Sequence, residues 1–349
     1  MKRYVRPLVA SLALAGGLMW VMNSGGLPFL PPTSAFADFE VLPYVGFAIG
    51  MLSQLLIRLG RCQLLLAPVA RVPFWRVMVI NGIAIALITF LPFRLGEVSR
   101  PAMFREKGKL SAIAVTGMVA AERILDGVVF SLMLLCGLWV AEPRLPLPTR
   151  IGDLPLSAAL VPNAARVASI AFTLAFVVMV VFYVWRDFAR RLTLRLVGGF
   201  SQALAEKIAN LLTRLSDGLK FLSNVRHAGP YFVVTLVAVF LHVWAIVLLS
   251  DAAGLPELSF AQSAVVVGVL ALGFAIPNAP GFFGAIQLAL YAGLAVYIEP
   301  GMVAREGAVF VFLFYVTHLS LIVLVALSSL AFDYVLSRSA TTSVDTARR

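Results

Sequence analysis

The chain has 349 residues, of which 61% are hydrophobic and 13% are charged, and its mean hydropathy is +0.95. This composition excludes an ordinary soluble domain and predicts an all-α polytopic integral membrane protein. The formal net charge of +11 does not indicate a nucleic-acid partner, because the basic residues collect in particular loops, as they do in the cytoplasmic loops of membrane proteins.

Apolar segments follow one another along the chain, and several reach the ~20 residues that a helix needs to cross a bilayer. They lie near residues 8–22, 39–57, 77–92, 111–140, 157–185, 230–253, 261–279, 282–298 and 308–335. We expect about eight transmembrane helices together with re-entrant or broken segments. Ala35-Phe36-Ala37 resembles a signal-peptidase site, but the three prolines before it favour a retained first helix.

The loop charges predict an orientation in the inner (cytoplasmic) membrane. Loops 58–76 and 186–229 are rich in basic residues, so we expect them on the cytoplasmic side. Segments 23–38 and 254–260 contain no basic residue and are expected on the outer side. Both termini are then cytoplasmic.

Two apolar segments are interrupted, and each interruption suggests a broken or re-entrant helix in place of one continuous membrane-spanning helix. Segment 77–92 is followed by the basic stretch 93–110, so the orientation is consistent only if 77–92 enters and leaves on the cytoplasmic side. Prolines and glycines break the chain at 276–287, where 261–279 and 282–298 are either full crossings or a hairpin from the outside. Broken segments in corresponding halves are compatible with an inverted repeat.

The cytoplasmic stretch 187–226 is predicted to contain an amphipathic helix. Apolar residues recur there at spacings of three and four, at Leu204, Ile208, Leu211, Leu215, Leu219 and Leu222. Such a helix lies on the inner leaflet or packs against other cytoplasmic loops. The stretch belongs to a single transmembrane domain, 1–338, which is followed by a cytoplasmic tail, 339–349.

Two clusters of charged residues interrupt the apolar segments. Ionisable groups at membrane depth are costly, so such clusters indicate a functional site with paired partners. The first contains Arg94, Glu97 and Arg100, and the second contains Glu122, Arg123 and Asp126. Because these six charges sum to zero, one interpretation is a buried salt-bridge network that locks two segments together.

The other interpretation of the clusters is a lipid-binding site. Guanidinium groups donate two parallel hydrogen bonds to phosphate, so Arg94, Arg100 and Arg123 are suited to a lipid phosphate. Around the second break, the candidate residues are Asn278, Pro280, Gly281, Gly284 and Gln287. They either allow close helix packing or present a helix N-terminus to an anionic headgroup.

Three motifs in this order resemble the lysylphosphatidylglycerol synthase transmembrane (flippase-like) family. They are Asn81 followed by Leu91-Pro92-x-Arg94-x-Gly96-Glu97-x-x-Arg100, then Glu122-Arg123-x-x-Asp126, then Pro280-Gly281-x-x-Gly284. The resemblance spans roughly residues 40–330 and implies a polytopic inner-membrane protein that moves phospholipids between leaflets. Seventeen residues follow Phe332, so it implies the translocating part without a soluble aminoacyl-transferase domain. The family pattern ends the glycine-rich break in an acidic residue where this chain has Gln287, which argues against a cationic headgroup.

These observations predict a lipid translocase that moves a phospholipid or related lipid phosphate, with membrane lipids as its partners. No catalytic motif, Walker-type nucleotide motif or metal-ligand spacing is present, so we expect neither an enzyme nor a cofactor. Two alternatives stay open at this point. One is a membrane-embedded enzyme acting on a lipid phosphate, and the other is an accessory subunit of a lipid or cell-envelope glycan pathway with a partner enzyme.

Overall fold

The structure is a computed structural model that describes residues 13, 16–91, 96–108, 110–154, 157–198, 201–223, 225–275 and 279–346. Within these residues the chain forms helices and no strand. The helices are α1 (16–24), α2 (Val41–Gly60), α3 (Cys62–Leu66), α4 (Phe74–Phe90), α5 (Ser99–Gly108), α6 (Ala112–Val140), α7 (Leu160–Val184), α8 (Arg186–Gly198), α9 (Gln202–Asp217), α10 (Val225–Ala252), α11 (Phe260–Ala275), α12 (Ala285–Leu294), α13 (Pro300–Ala304) and α14 (Glu306–Thr346).

The helix lengths confirm an all-α polytopic membrane protein. Among the described residues, five helical segments are long and apolar enough to cross a membrane. They are Val41–Leu66, which combines α2 and α3, then Ala112–Val140, Leu160–Val184, Val225–Ala252, and Glu306–Val335, which is the first part of α14. Three shorter apolar helices accompany them, at Phe74–Phe90, Phe260–Ala275 and Pro280–Leu294. Long crossing helices and short apolar ones are therefore both present, as the interrupted segments predict.

Helices α2 and α10 pack against each other in an antiparallel arrangement. Gly46, near the start of α2, lies against Leu248, near the end of α10. At the opposite end of the pair, the Arg61 side chain reaches Thr235. The end of α2 and the end of α10 are therefore at opposite ends of the bundle.

A helical hairpin, the first hairpin, follows α2 and consists of α4 and α5. Val77 near the start of α4 and Leu110 just after α5 lie in the same buried cluster, so the chain returns to where it entered. Helix α4 has 17 residues and is about 25 Å long at 1.5 Å per residue, somewhat less than a ~30 Å hydrocarbon core. This is the geometry of the re-entrant segment predicted at 77–92, whose membrane side stays a prediction.

A second hairpin follows α10 and consists of α11 and α12. Gly273 near the end of α11 lies against Ala289, whereas Gly293 near the end of α12 lies against Val266. With 16 and 10 residues, these antiparallel helices are about 24 and 15 Å long, which favours a hairpin over two full crossings.

The two hairpins are bound in equivalent ways, which supports an inverted repeat. One half runs from α2 through the first hairpin to α6, and the other runs from α10 through the second hairpin to α14. Helix α4 packs against α14, just as α11 packs against α6. Each hairpin is thus held by the last long helix of the other half, and the two hairpins start from opposite ends of the bundle.

Helices α7, α8 and α9 connect the two halves. The amphipathic segment predicted at 187–226 forms α8 and α9, and α9 packs against both α8 and α6. The backbone of α6 near Ala114 and Gly117 lies directly against Gly218, just after α9. The buried residues of α9 include Ala205 and Ala209, whereas Leu211 is about half exposed. This buried side of α9 packs against α8 and also against the long apolar helix α6, and thus not only against cytoplasmic loops, as one of the two alternatives expected.

Candidate functional site

A charged network lies where the break between α2 and α3 faces α6. Helix α2 ends at Gly60 and α3 begins at Cys62, so Arg61 stands at the junction between them. The Nδ2 of Asn81 on α4 donates to the Leu59 backbone oxygen at 2.8 Å, which fixes the end of α2. Arg61 is buried, with only 4% of its surface exposed.

The Arg61 guanidinium binds both carboxylates of the second cluster. Glu122 and Asp126 are four residues apart on α6 and therefore share one face of the helix. Nη2 of Arg61 donates to Glu122 Oε1 at 3.2 Å and to Asp126 Oδ1 at 2.6 Å. Its Nη1 donates to Thr235 Oγ1 at 3.0 Å, and the guanidinium lies 5.2 Å from the centre of the Tyr231 ring. Arg61 therefore joins α6 to α10.

Arg100, on α5, is the second buried arginine of the network. Its Nη1 donates to Glu122 Oε2 at 2.7 Å, and its Nη2 donates to the Cys62 sulfur at 3.2 Å. Glu122 thus accepts from two guanidinium groups, one on each oxygen. Because Arg100 comes from the first hairpin and Arg61 from the end of α2, the carboxylate ties both to α6.

The network extends outwards to Arg58, whose Nη2 lies 3.6 Å from Asp126 Oδ2. The Arg58 side chain is 32% exposed, compared with 3% for Arg61. Arg58 therefore stands at the edge of the network and is less buried than Arg61. Asp126 is shared between these two arginines.

A cavity of about 240 Å³, the central cavity, opens beside Asp126 between α2, α6, α7, α10 and α11. Its charged and polar lining residues are Arg58, Glu97, Arg123, Asp126, Ser131 and His242. The rest of the wall is apolar and includes Phe130, Phe172 and Phe274. A polar end on an otherwise apolar cavity is typical of a site that orients an amphipathic ligand.

A larger cavity of about 790 Å³, the lateral cavity, lies between α5 and α6. Its polar and charged lining residues are Glu97, Arg105, Thr116 and Arg123. Glu97 and Arg123 line both cavities, so the two cavities border each other along α6 at this level.

Arg123 differs from the other arginines of the site in its contacts. Within the described residues it has no ion pair, and its buried Nε has no hydrogen-bond partner. Four guanidinium groups, those of Arg58, Arg61, Arg100 and Arg123, accompany the three carboxylates of Glu97, Glu122 and Asp126. The described part of the site therefore carries excess positive charge, which favours an anionic ligand.

The described part of the second break, residues 279–287, forms a turn, and none of these residues is among those that line the two cavities. Gly281 and Gly284 have φ angles of +73° and +81°, which favour glycine because a Cβ is strained there. Gln287 is buried, and its Oε1 accepts from the Gly284 backbone N–H at 2.7 Å, at the start of α12. Pro280 begins the short 3₁₀ turn that precedes α12. These four residues thus build the turn and cap the helix.

Two of the predicted site residues, Arg94 and Asn278, lie outside the described residues. Two residues of the site, Arg58 and Arg61, were not predicted, because they count as ordinary basic loop residues when only the sequence is considered. A signal was present, since the apolar residues continue through Leu64, Leu65 and Leu66, as expected of a helix that extends beyond Gly60. His242 also lines the central cavity.

No group of three or more His, Cys, Asp or Glu residues in the described part of the chain could hold a metal ion. The chemistry of this site is instead that of guanidinium and carboxylate groups next to apolar walls. It can bind and orient an anionic amphiphile.

A family model described as the lysylphosphatidylglycerol synthase TM region matches residues 8–326. No curated protein and no solved structure matches this chain.

Proposed function

Because the chain belongs to the lysylphosphatidylglycerol synthase TM region family, a family of membrane proteins tied to lipid metabolism, we propose that it moves a phospholipid or related lipid phosphate between the leaflets of the inner membrane. One observation carries the proposal. Arg123, which has no ion pair among the described residues, lines both the central and the lateral cavity.

The electrostatics of the site favour binding of a phosphate group. A guanidinium group forms strong, charge-assisted hydrogen bonds with phosphate oxygens, and these strengthen where water is excluded. Arg123 and the partly exposed Arg58 both line the central cavity. A phosphate between them would receive hydrogen bonds without breaking the pairs of Arg61 and Arg100 with α6.

The arrangement of the cavities supports movement of a headgroup along α6. The lateral cavity extends towards Ala112, whereas the central cavity extends towards Ser131 on the same helix. These residues are nineteen positions apart, or about 28 Å along a helix, which is comparable to the ~30 Å hydrocarbon core. Arg123 lies between them and would meet the headgroup in passage, while the acyl chains stay in the bilayer.

The experiment that tests the proposal is lipid translocation in proteoliposomes. The full-length protein is reconstituted, and phospholipids with a fluorescent acyl chain are followed as a membrane-impermeant reductant bleaches the outer leaflet. We expect accelerated translocation by the unaltered protein and at least a tenfold lower rate for Arg123→Gln.

A matched control is available in Arg144→Gln. Arg144 forms an exposed ion pair with Glu299 at 2.7 Å and lines neither cavity. Exposed pairs contribute little to stability, so this variant should keep the unaltered rate. If the unaltered protein accelerates no phospholipid and no polyprenyl phosphate, it does not translocate lipids autonomously.

A membrane-embedded enzyme acting on a lipid phosphate is the second candidate, and one observation favours it. His242 and Asp126 line the same cavity, where an imidazole next to a bound phosphate could act as a general base or nucleophile. The same proteoliposomes test it through release of inorganic phosphate or headgroup. Release that is lost in His242→Gln would replace the translocase proposal with this one.

A further inference from the structure

We infer that the substrate has a net anionic headgroup with no amine, so that a lipid such as phosphatidylglycerol or a polyprenyl phosphate is preferred over an aminoacylated, cationic lipid. This inference rests on the proposed function and specifies the class of lipid.

The carboxylates of the central cavity are not available to an ammonium group. Both oxygens of Asp126 lie 2.6 Å from Nη2 of Arg61, and Arg58 approaches the same carboxylate. Glu97, the other acidic residue of the cavity, has an interaction of its own and is not free. An amine that paired with Asp126 would therefore have to compete with the buried Arg61 guanidinium group, which would then keep only Glu122 as its anionic partner.

The opposite wall of the cavity provides no further acid. Helix α11 contributes Val267, Leu270 and Phe274 to the lining, and the sequence has no charged residue between Glu257 and Glu299. The remaining polar lining residues of the central cavity, His242 and Ser131, are not acidic. A lysyl or other amine-bearing headgroup would be transferred from water into this cavity without a counter-ion, which is strongly unfavourable.

The guanidinium groups, in contrast, suit a phosphate. Within the described residues Arg123 has no ion pair, and the one ion pair of Arg58 there, at 3.6 Å, is with Asp126, which Arg61 already binds. His242 adds a buried Nε2 with no hydrogen-bond partner in the described part of the chain. A hydroxyl group of a glycerol headgroup can form a hydrogen bond there without a counter-ion, whereas a charged amine would lie beside the like charges of Arg58 and Arg123.

The test compares headgroups in proteoliposomes that contain the full-length protein. Phosphatidylglycerol, lysyl-phosphatidylglycerol and phosphatidylcholine carry the same fluorescent acyl chain, and a fluorescent polyprenyl phosphate is a separate arm. We expect phosphatidylglycerol or the polyprenyl phosphate to move at least tenfold faster than the cationic lipid. The comparison between those two arms distinguishes a glycerophospholipid from an isoprenoid substrate.

A charge-reversal variant makes the test specific to the cavity. In Arg123→Glu the preference should shift towards the cationic lipid by tenfold or more, with the melting temperature measured to establish that the variant is folded. Arg123→Gln provides a second variant if Arg123→Glu does not fold, and it should slow the anionic lipids more than phosphatidylcholine.

The outcomes separate this inference from the proposed function. If lysyl-phosphatidylglycerol moves as fast as phosphatidylglycerol, the inference is wrong while the translocase proposal stands. The same conclusion follows if Arg123→Gln slows every lipid by the same factor. If no lipid moves, both are overturned.

Discussion

At the scale of single residues, Glu122 and Arg123 are neighbours in the sequence with different surroundings. Glu122 is 3% exposed, and each of its oxygens accepts a hydrogen bond from a buried arginine. Arg123 lines two cavities and has no ion pair within the described residues. The two interpretations of the charged clusters therefore apply to different residues. Glu122 locks helices together, and Arg123 is the candidate for binding.

Replacing Glu122 with glutamine should destabilise the fold. The change leaves Arg61 and Arg100 without an anion on that side, and removing one partner from a buried ion pair typically costs about 3–5 kcal/mol. The measurement is thermal unfolding of the detergent-solubilised protein, in which the variant should have a markedly lower melting temperature.

Replacing Arg123 with glutamine provides the contrast. Since no ion pair of the described residues is lost, the expected cost is about 1 kcal/mol or less, typical of a substitution with no buried pair. The same thermal unfolding should therefore give a melting temperature near that of the unaltered protein. An equal loss of stability in the two variants would show that Arg123 belongs to the buried salt-bridge network and would contradict its assignment to binding.

Most of these residues can be predicted from the sequence, but their pairing cannot. Ionisable residues at membrane depth mark Glu122, Arg123 and Asp126 because burying a charge is costly wherever the helix packs. Arg58 and Arg61 escaped notice since they also satisfy the rule for cytoplasmic loops, which concerns the side of the membrane and not tertiary contacts.

At the scale of helices, Gly96 determines how closely the first hairpin folds back. A Cβ at this position would collide with the backbone of Leu87 and Ile88 on α4. Backbone atoms of a helix cannot move aside as a flexible side chain can. The close backbone contact therefore requires a glycine at position 96 of the Leu91–Arg100 motif, independent of any ligand.

The variant Gly96→Ala should lower the yield of folded protein, because the hairpin can no longer close onto α4. Gly229→Ala is the matched control, since no atom lies within 4 Å of the added Cβ on α10. Alanine there should be neutral or stabilising by up to about 1 kcal/mol through helix propensity. Size-exclusion profiles and melting temperatures measure both effects, and a normal profile for Gly96→Ala would contradict the close approach.

The second break shows what a sequence pattern leaves open. Prolines and glycines at 276–287 predict an interrupted helix, because proline lacks the N–H that a helix needs. The pattern is local, however, and does not say which neighbours surround the break. In the structure Gly284 lies against Leu18 of α1, and Gly281 lies against Tyr315. Pro280, Gly281, Gly284 and Gln287 therefore build a turn, and Phe282 within it packs against Phe274 of the central cavity wall.

At the scale of the whole molecule, two similar halves pack in opposite directions. The antiparallel contact of α2 with α10 requires that the first and second hairpins start from opposite ends of the bundle. Composition and the loop charges were sufficient to predict the helical class and the first hairpin. Each hairpin packs against the other half of the molecule, α4 against α14 and α11 against α6. This packing is tertiary, and no local sequence pattern encodes it.

This arrangement predicts opposite accessibility for two exposed loop residues, Arg71 and Glu257. In a variant with Cys62 and Cys136 replaced by alanine, Glu257→Cys should react with an impermeant thiol reagent in intact cells. Arg71→Cys, beyond the opposite end of the bundle, should react only after the inner membrane is permeabilised. Reaction of both from the same side would contradict the inverted arrangement.

The most direct test of the central claim, that a lipid headgroup enters the central cavity, is photo-crosslinking from its wall. A photoreactive phenylalanine analogue replaces Phe130, which lines the cavity, or Leu132, which is 44% exposed on the outside of α6. We expect lipid adducts at 130 to be enriched in anionic lipids relative to the bulk membrane, with the enrichment lost in Arg123→Gln, and adducts at 132 to match the bulk. Absence of lipid adducts at 130, or a bulk composition there, would contradict the claim.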